Sequence, residues 1–153
     1  MSHKKPNRVV RDLYEKYIKG TVKGAIVSDI TVVVCHLTKV GMNELGPKSA
    51  KVYLNTRVLK HMYDKRPAQE FDFLLDNLFS IVKYPDYIFA NKPGKRGGKC
   101  FLKKMRGADY FVSFEVDVAD GGGITIATSF ALAEGYMKNY ELLWSWEGRR
   151  PSS

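Results

Sequence analysis

The stretch VYLNTRVLKHMYDKRP, residues 52–67, sets a histidine at position 61 among Arg57, Lys60 and Lys65. Imidazole changes charge near neutral pH, so His61 is suited to give or take a proton under ordinary conditions. On a helix, Arg57, Asp64 and Lys65 share the histidine's face, while Val58, Leu59 and Met62 form the buried side. Asp64 is then placed to orient the ring or to support its charged form. A solvent-exposed histidine with no role has the same neighbours, and spacing alone leaves both readings open. His36 lies in an apolar run and reads as a core or edge residue.

Two further segments carry chemically useful groups. NKPGKRGGKCFLKKMRGA, residues 91–108, holds Lys92, Lys95, Arg96, Lys99, Lys103, Lys104 and Arg106 without one acid. Its first half is a glycine-rich loop. Lys103 and Lys104 follow in a strand and point to opposite faces, so one of them is expected on the wet face of a sheet. Together with Arg57 and Lys60 these cations are expected to meet phosphates, against the plainer reading of a solvated charge run. ITIATSF, residues 124–130, offers Thr125, Thr128 and Ser129. Strand parity groups Thr128 with Ile124 and Ile126, and Ser129 with Thr125 and Ala127. Taken singly, each hydroxyl is as well explained by a turn or cap hydrogen bond.

Other chemistries find no support in the spacing. There is no G-x-S-x-G elbow, no Walker-type phosphate loop and no acid cluster able to hold two magnesium ions. Cys35, Cys100 and the three histidines have no metal-ligand spacing, so neither a metal nor a cofactor is expected. The balance of 25 Lys and Arg against 16 Asp and Glu leaves a formal charge of +9 on 153 residues, which favours an acidic polymer as partner. A membrane is not expected, because no run approaches the roughly 20 apolar residues of a spanning helix. The polar start MSHKKPNRVV and two distant cysteines fit a reducing cytoplasm, with a Cys35–Cys100 disulfide left open.

The elements that must position these groups follow from periodicity. Residues 8–19 read as a helix, 25–37 as a long strand, and the segment around Gly41 and Gly46-Pro47 as a loop. Asn55 or Thr56 caps a short helix that Pro67 stops. A second helix then carries Phe71, Leu74, Leu75, Leu78 and Val82 as its apolar stripe, and Tyr84-Pro85 ends it. Four strands follow: YIFAN, KCFLKKM, YFVSFEVDV and GITIATSF. In the third, Tyr110, Val112, Phe114 and Val116 alternate with Ser113 and Glu115, predicting one buried and one wet face. The tail is expected to be partly helical, with Trp144 and Trp146 as packing anchors. Helices first and strands later is an α+β pattern, here a single domain over 1–153 with N-terminal helices packed on an antiparallel sheet of about four to five strands.

The order VYLNTRVLKHMYDKRP, VKYPDYIFAN, KCFLKKM, YFVSFEVDV and GITIATSF resembles a phage-associated branch of the barnase, EndoU, colicin and RelE-like (BECR-fold) nucleases, over about residues 50–132. On that resemblance, residues 1–47 are a helix-and-strand extension, the tail is helical, and an open sheet face holds a site that cleaves RNA without a metal. His61 matches the family's histidine after a lysine, Lys103 or Lys104 a basic residue on the sheet, and Thr128 with Ser129 the paired hydroxyls of the final strand. Either a bulge brings Thr128 to the site or Ser129 faces it. The expected function is a toxin- or phage-associated, metal-independent endoribonuclease acting through the RNA 2′-hydroxyl. The alternative is a non-catalytic nucleic-acid-binding module in which Tyr84, Tyr87 or Phe89 stacks on bases. RNA is the expected partner, with an acidic inhibitor or antitoxin protein as a second kind.

Overall fold

A computed structural model describes residues 8–92, 98–116 and 122–146. The elements run α1 (Arg8–Tyr17), β1 (Thr31–His36), α2 (Lys39–Leu45), β2 (Lys51–Asn55), α3 (Thr56–Lys65), α4 (Ala68–Lys83), β3 (Tyr87–Ala90), β4 (Lys99–Met105), β5 (Ala108–Val116), β6 (Ile124–Ala131) and β7 (Glu141–Ser145). The chain is thus α+β. Among the described residues the strands form one seven-stranded sheet in the order β1-β2-β6-β5-β4-β3-β7.

The expected four to five antiparallel strands therefore need correction. β3 to β6 form the anticipated meander, but β2 joins β6 in parallel, and β1 and β7 add the two edges. The parallel pair is short, Val52 with Ile124 and Tyr53 with Thr125. It requires glycine at 123, where an added Cβ would lie 2.5 Å from the Lys51 carbonyl oxygen.

Helices α1, α3 and α4 cover one face of the sheet. The α4 stripe Phe71, Leu74, Leu75, Leu78 and Val82 is buried there, against Phe101, Val112, Phe114 and Ile126 of the strands. Asn55 caps α3 by accepting from the Arg57 amide at 2.8 Å. Thr56, fully buried, instead accepts from the Ile30 amide and donates to the Ser28 carbonyl, pinning the connection that precedes β1. That connection replaces the first half of the expected 25–37 strand.

The other sheet face is not wet. Phe111 and Ser113 are buried on it, beneath a second apolar cluster with Tyr87, Phe89, Cys100, Leu102, Met137 and Tyr140. The expected helical tail is a series of turns over this cluster followed by β7. Trp144 packs against the helix-side core, but Trp146 is 65% exposed and is not the packing anchor expected. Burial of Tyr87 and Phe89 likewise removes two of the three rings proposed for stacking, leaving Tyr84 at the surface.

Cys35 and Cys100 are free and buried. Four strand steps separate β1 from β4, roughly 19 Å at ordinary strand spacing and beyond disulfide reach. Burial pushes the thiols up to about 11 at Cys35 and about 12 at Cys100. Among the described residues no helix is long and apolar enough to cross a membrane.

Candidate functional site

The position of Thr128 follows from one irregularity in β6. Opposite β5, Ser113 pairs with Thr128 but Phe114 pairs with Ile126, so Ala127 is an extra residue. This bulge inverts the strand's parity. Thr128 turns to the face of Ser113, away from the isoleucines. Ser129, aligned with Val112, is fully buried, and its hydroxyl donates to the Phe111 carbonyl at 2.8 Å. Ser129 is therefore a structural hydroxyl and Thr128 the one that meets solvent.

α3 places His61 beside it. β2 ends at Asn55 after only two pairs with β6, and α3 continues past the remaining half of that strand. Val58, Leu59 and Met62 bury toward the core while His61 stays exposed. His61 and Thr128 then line one cleft of about 300 Å³, together with Asn91, Phe111, Ser113, Ala127, Phe130 and Tyr136.

Arg66, which the sequence did not single out, stands behind the cleft lining and is tied to two of its residues, Thr128 and Phe130. Because Pro67 follows, residue 66 is held extended (φ −92°, ψ 149°) and the helix stops there. Its guanidinium crosses to β6, donating to the Ser129 carbonyl at 3.0 Å and to the Thr128 hydroxyl at 3.1 Å. Glu70, 3.8 Å away, accepts from the Ala131 amide. These two side chains satisfy the β6 backbone where β2 no longer does. Since Thr128 Oγ1 accepts from Arg66, its own O–H is left to donate into the cleft. The dipeptide Arg66-Pro67, directly after the helix of the histidine, was the one signal in the sequence that pointed to it.

Several expected partners are elsewhere. Asp64 does not orient His61: its carboxylate receives Lys60 at 2.6 Å and the Gly24 amide at 3.0 Å. Lys60 is 5% exposed and also donates to the Val22 carbonyl, so it holds the 18–30 connection onto α3 rather than meeting phosphate. Burial disfavours the charge on Asp64, but the hydrogen bonds from Lys60 and Gly24 and the field of Lys60 outweigh it and hold the carboxyl below its ordinary value. A lowered carboxyl stabilises the fold above its unfolded value of about 3.9 and loses that contribution as pH falls through the folded one. Breaking this nearly buried pair with Lys60→Ala is expected to cost about 3–5 kcal/mol, read as a lower urea midpoint at neutral pH, with the difference from the parent narrowing in acid.

Arg57 is exposed and pairs with Asp29 at 2.8 Å. Lys103 is on the helix side of the sheet, donating to the Tyr84 carbonyl at 2.6 Å with Asp86 3.8 Å away. Lys104 shares the face of the cleft but sits opposite Asp109, four residues along β5 from Ser113 or roughly 13 Å. Neither lysine lines the cleft. Lys99 is half-buried at the start of β4, and Arg106 occupies the β4–β5 turn with φ 51°, followed by Gly107 at 78°, a type I′ turn, its guanidinium over the Phe73 ring. Lys92 is exposed, its ammonium 4.9 Å from the Tyr140 ring centre. Lys95 and Arg96 fall outside the described residues.

The arrangement brings together an imidazole, a hydroxyl and a guanidinium, the minimum set for moving a proton beside an anion. Comparison with protein-family models, with curated proteins and with solved structures returns no match for this chain.

Proposed function

We propose that this chain is a metal-independent endoribonuclease whose site is the cleft between His61 and Thr128. One observation carries the reading: a proton-exchanging side chain and a hydroxyl hydrogen-bonded to a guanidinium line the same open cleft, on a chain of net charge +9. RNA brings its own nucleophile. Attack of the 2′-oxygen on the adjacent phosphorus forms a 2′,3′-cyclic phosphate and releases the 5′-oxygen, so one proton must leave the first oxygen and one must reach the second. His61 exchanges one of these protons and water in the open cleft the other. Arg66 and the Thr128 hydroxyl face the charge that develops on the phosphorane oxygens.

Arg66 takes the part that the sequence reading assigned to Lys103 or Lys104. Like the lysines it is not itself in the cleft lining, but unlike them it is hydrogen-bonded to a lining residue, Thr128, and a planar guanidinium suits phosphate oxygens. The test is incubation of an unstructured RNA with the purified protein in EDTA. Fragments ending in 2′,3′-cyclic phosphate are expected. Intact RNA that nevertheless stays bound would instead identify a non-catalytic binding module.

A further inference from the structure

The cleft's apolar wall belongs to a longer row of rings. Arg66 lies 5.2 Å over the Phe130 ring, and Phe130 and Phe111 are 4.7 Å apart. Tyr136 meets Phe111 and Phe130 edge-on at 5.9 and 5.6 Å, and Tyr140 stacks on Tyr136 at 5.8 Å under the Lys92 ammonium. Phe111 and Tyr140 are buried, while Phe130 and Tyr136 are half-exposed and line the cleft. Two rings are thus held rigid by two behind them, with a cation at each end of the row.

A second observation lies in the same lining. The Ser113 hydroxyl, in a fully buried residue of the cleft lining, has no hydrogen-bond partner among the described residues. An unpaired buried hydroxyl costs stability and asks for a polar guest. An apolar ligand would satisfy the rings and leave Ser113 unpaired; a nucleobase has a flat π face for the rings and a polar edge to turn toward Ser113.

We infer that this row is a base-stacking subsite and that the strand entering the cleft is single. One base lies against Tyr136 and Phe130, and the phosphates on either side of it meet Arg66 and Lys92. Stacking on aromatic rings with cations along the backbone is how sequence-tolerant single-strand binding is built, and it is unavailable to bases already paired in a duplex. A cleft of about 300 Å³ admits a nucleotide and excludes a double helix. Placing this strand in register for cleavage rests on the proposed ribonuclease reading; the stacking itself does not.

A short deoxyoligonucleotide, which lacks the 2′-hydroxyl and cannot be cut by this route, separates the two. Its affinity is measured by fluorescence anisotropy as a single strand and as a duplex. The parent is expected to prefer the single strand. Tyr136→Phe should bind like the parent, whereas Tyr136→Ala should lose roughly 5- to 150-fold on the single strand and nothing on the duplex. Lys92→Ala, at an exposed position that does not burden the core, should flatten the salt dependence of log affinity by about 0.7. If Tyr136→Ala loses affinity while the parent leaves RNA intact, the subsite stands and the ribonuclease reading falls. If the parent cleaves RNA yet binds both forms equally, or Tyr136→Ala binds the single strand like the parent, the subsite is overturned and the ribonuclease reading survives.

Discussion

His61→Ala should slow RNA cleavage in EDTA by about 10²- to 10⁴-fold, the usual contribution of one positioned proton carrier, with binding of the same RNA retained. The fold gives this experiment a clean background. His61 is exposed on α3, whose attachment to the core rests on Val58, Leu59 and Met62, and alanine is the better helix former. The melting temperature should therefore stay close to that of the parent. On the proposed mechanism the loss should appear in kcat rather than KM, since an imidazole that exchanges protons in the transition state need contribute little to holding the strand. A variant that cleaves as fast as the parent removes His61 from the chemistry and leaves the cleft as a binding site.

What was legible in the sequence was mostly what repeats locally. The α4 stripe announces itself because five apolar residues recur at helical spacing, and Asn55 and Pro67 mark the ends of α3 by chemistry confined to a few bonds. α2 was hidden by Gly41, which reads as a loop signal but serves as a close contact: an added Cβ would lie 3.1 Å from Leu37. The true cap signals flank it, Thr38 accepting from the Gly41 amide and Gly46 closing the helix at φ 68°. The tail was expected to be partly helical, but β7 forms because β3 presents an edge to pair with, which is information held 51 to 58 residues away.

The site was legible in the same uneven way. His61 needed only a helical count. Thr128 needed a bulge, and bulges arise from pairing with another strand, so parity within β6 misplaced it against Ser129. The lysines were misjudged for the complementary reason. A basic run shows how much charge is present, but not that Lys103 finds the Tyr84 carbonyl and Lys60 the Asp64 carboxylate. Arg66 was masked by sitting outside that run, although its proline neighbour already dictated an extended backbone and a side chain leaving the helix.

Arg66→Ala is the second large effect and the harder one to interpret, because the proposed function adds a second job to the structural one. Loss of its charge beside the developing phosphorane should lower kcat by about 10²- to 10³-fold. Its removal also unpairs the Ser129 carbonyl and withdraws the cation beside Glu70, a structural cost of about 1–3 kcal/mol. Arg66→Lys separates them. A single ammonium in place of the guanidinium fork restores the positive charge but does not reproduce the two-point contact with Ser129 and Thr128, so stability should recover only in part while kcat rises well above that of the alanine variant. Thr128→Val supplies the last corner of the cycle. If guanidinium and hydroxyl stabilise the same oxygens as a unit, the double variant Arg66→Ala/Thr128→Val should lose much less than the product of the two single losses. Activity that merely tracks the folded fraction through all four proteins would make Arg66 a strap across β6 and nothing more.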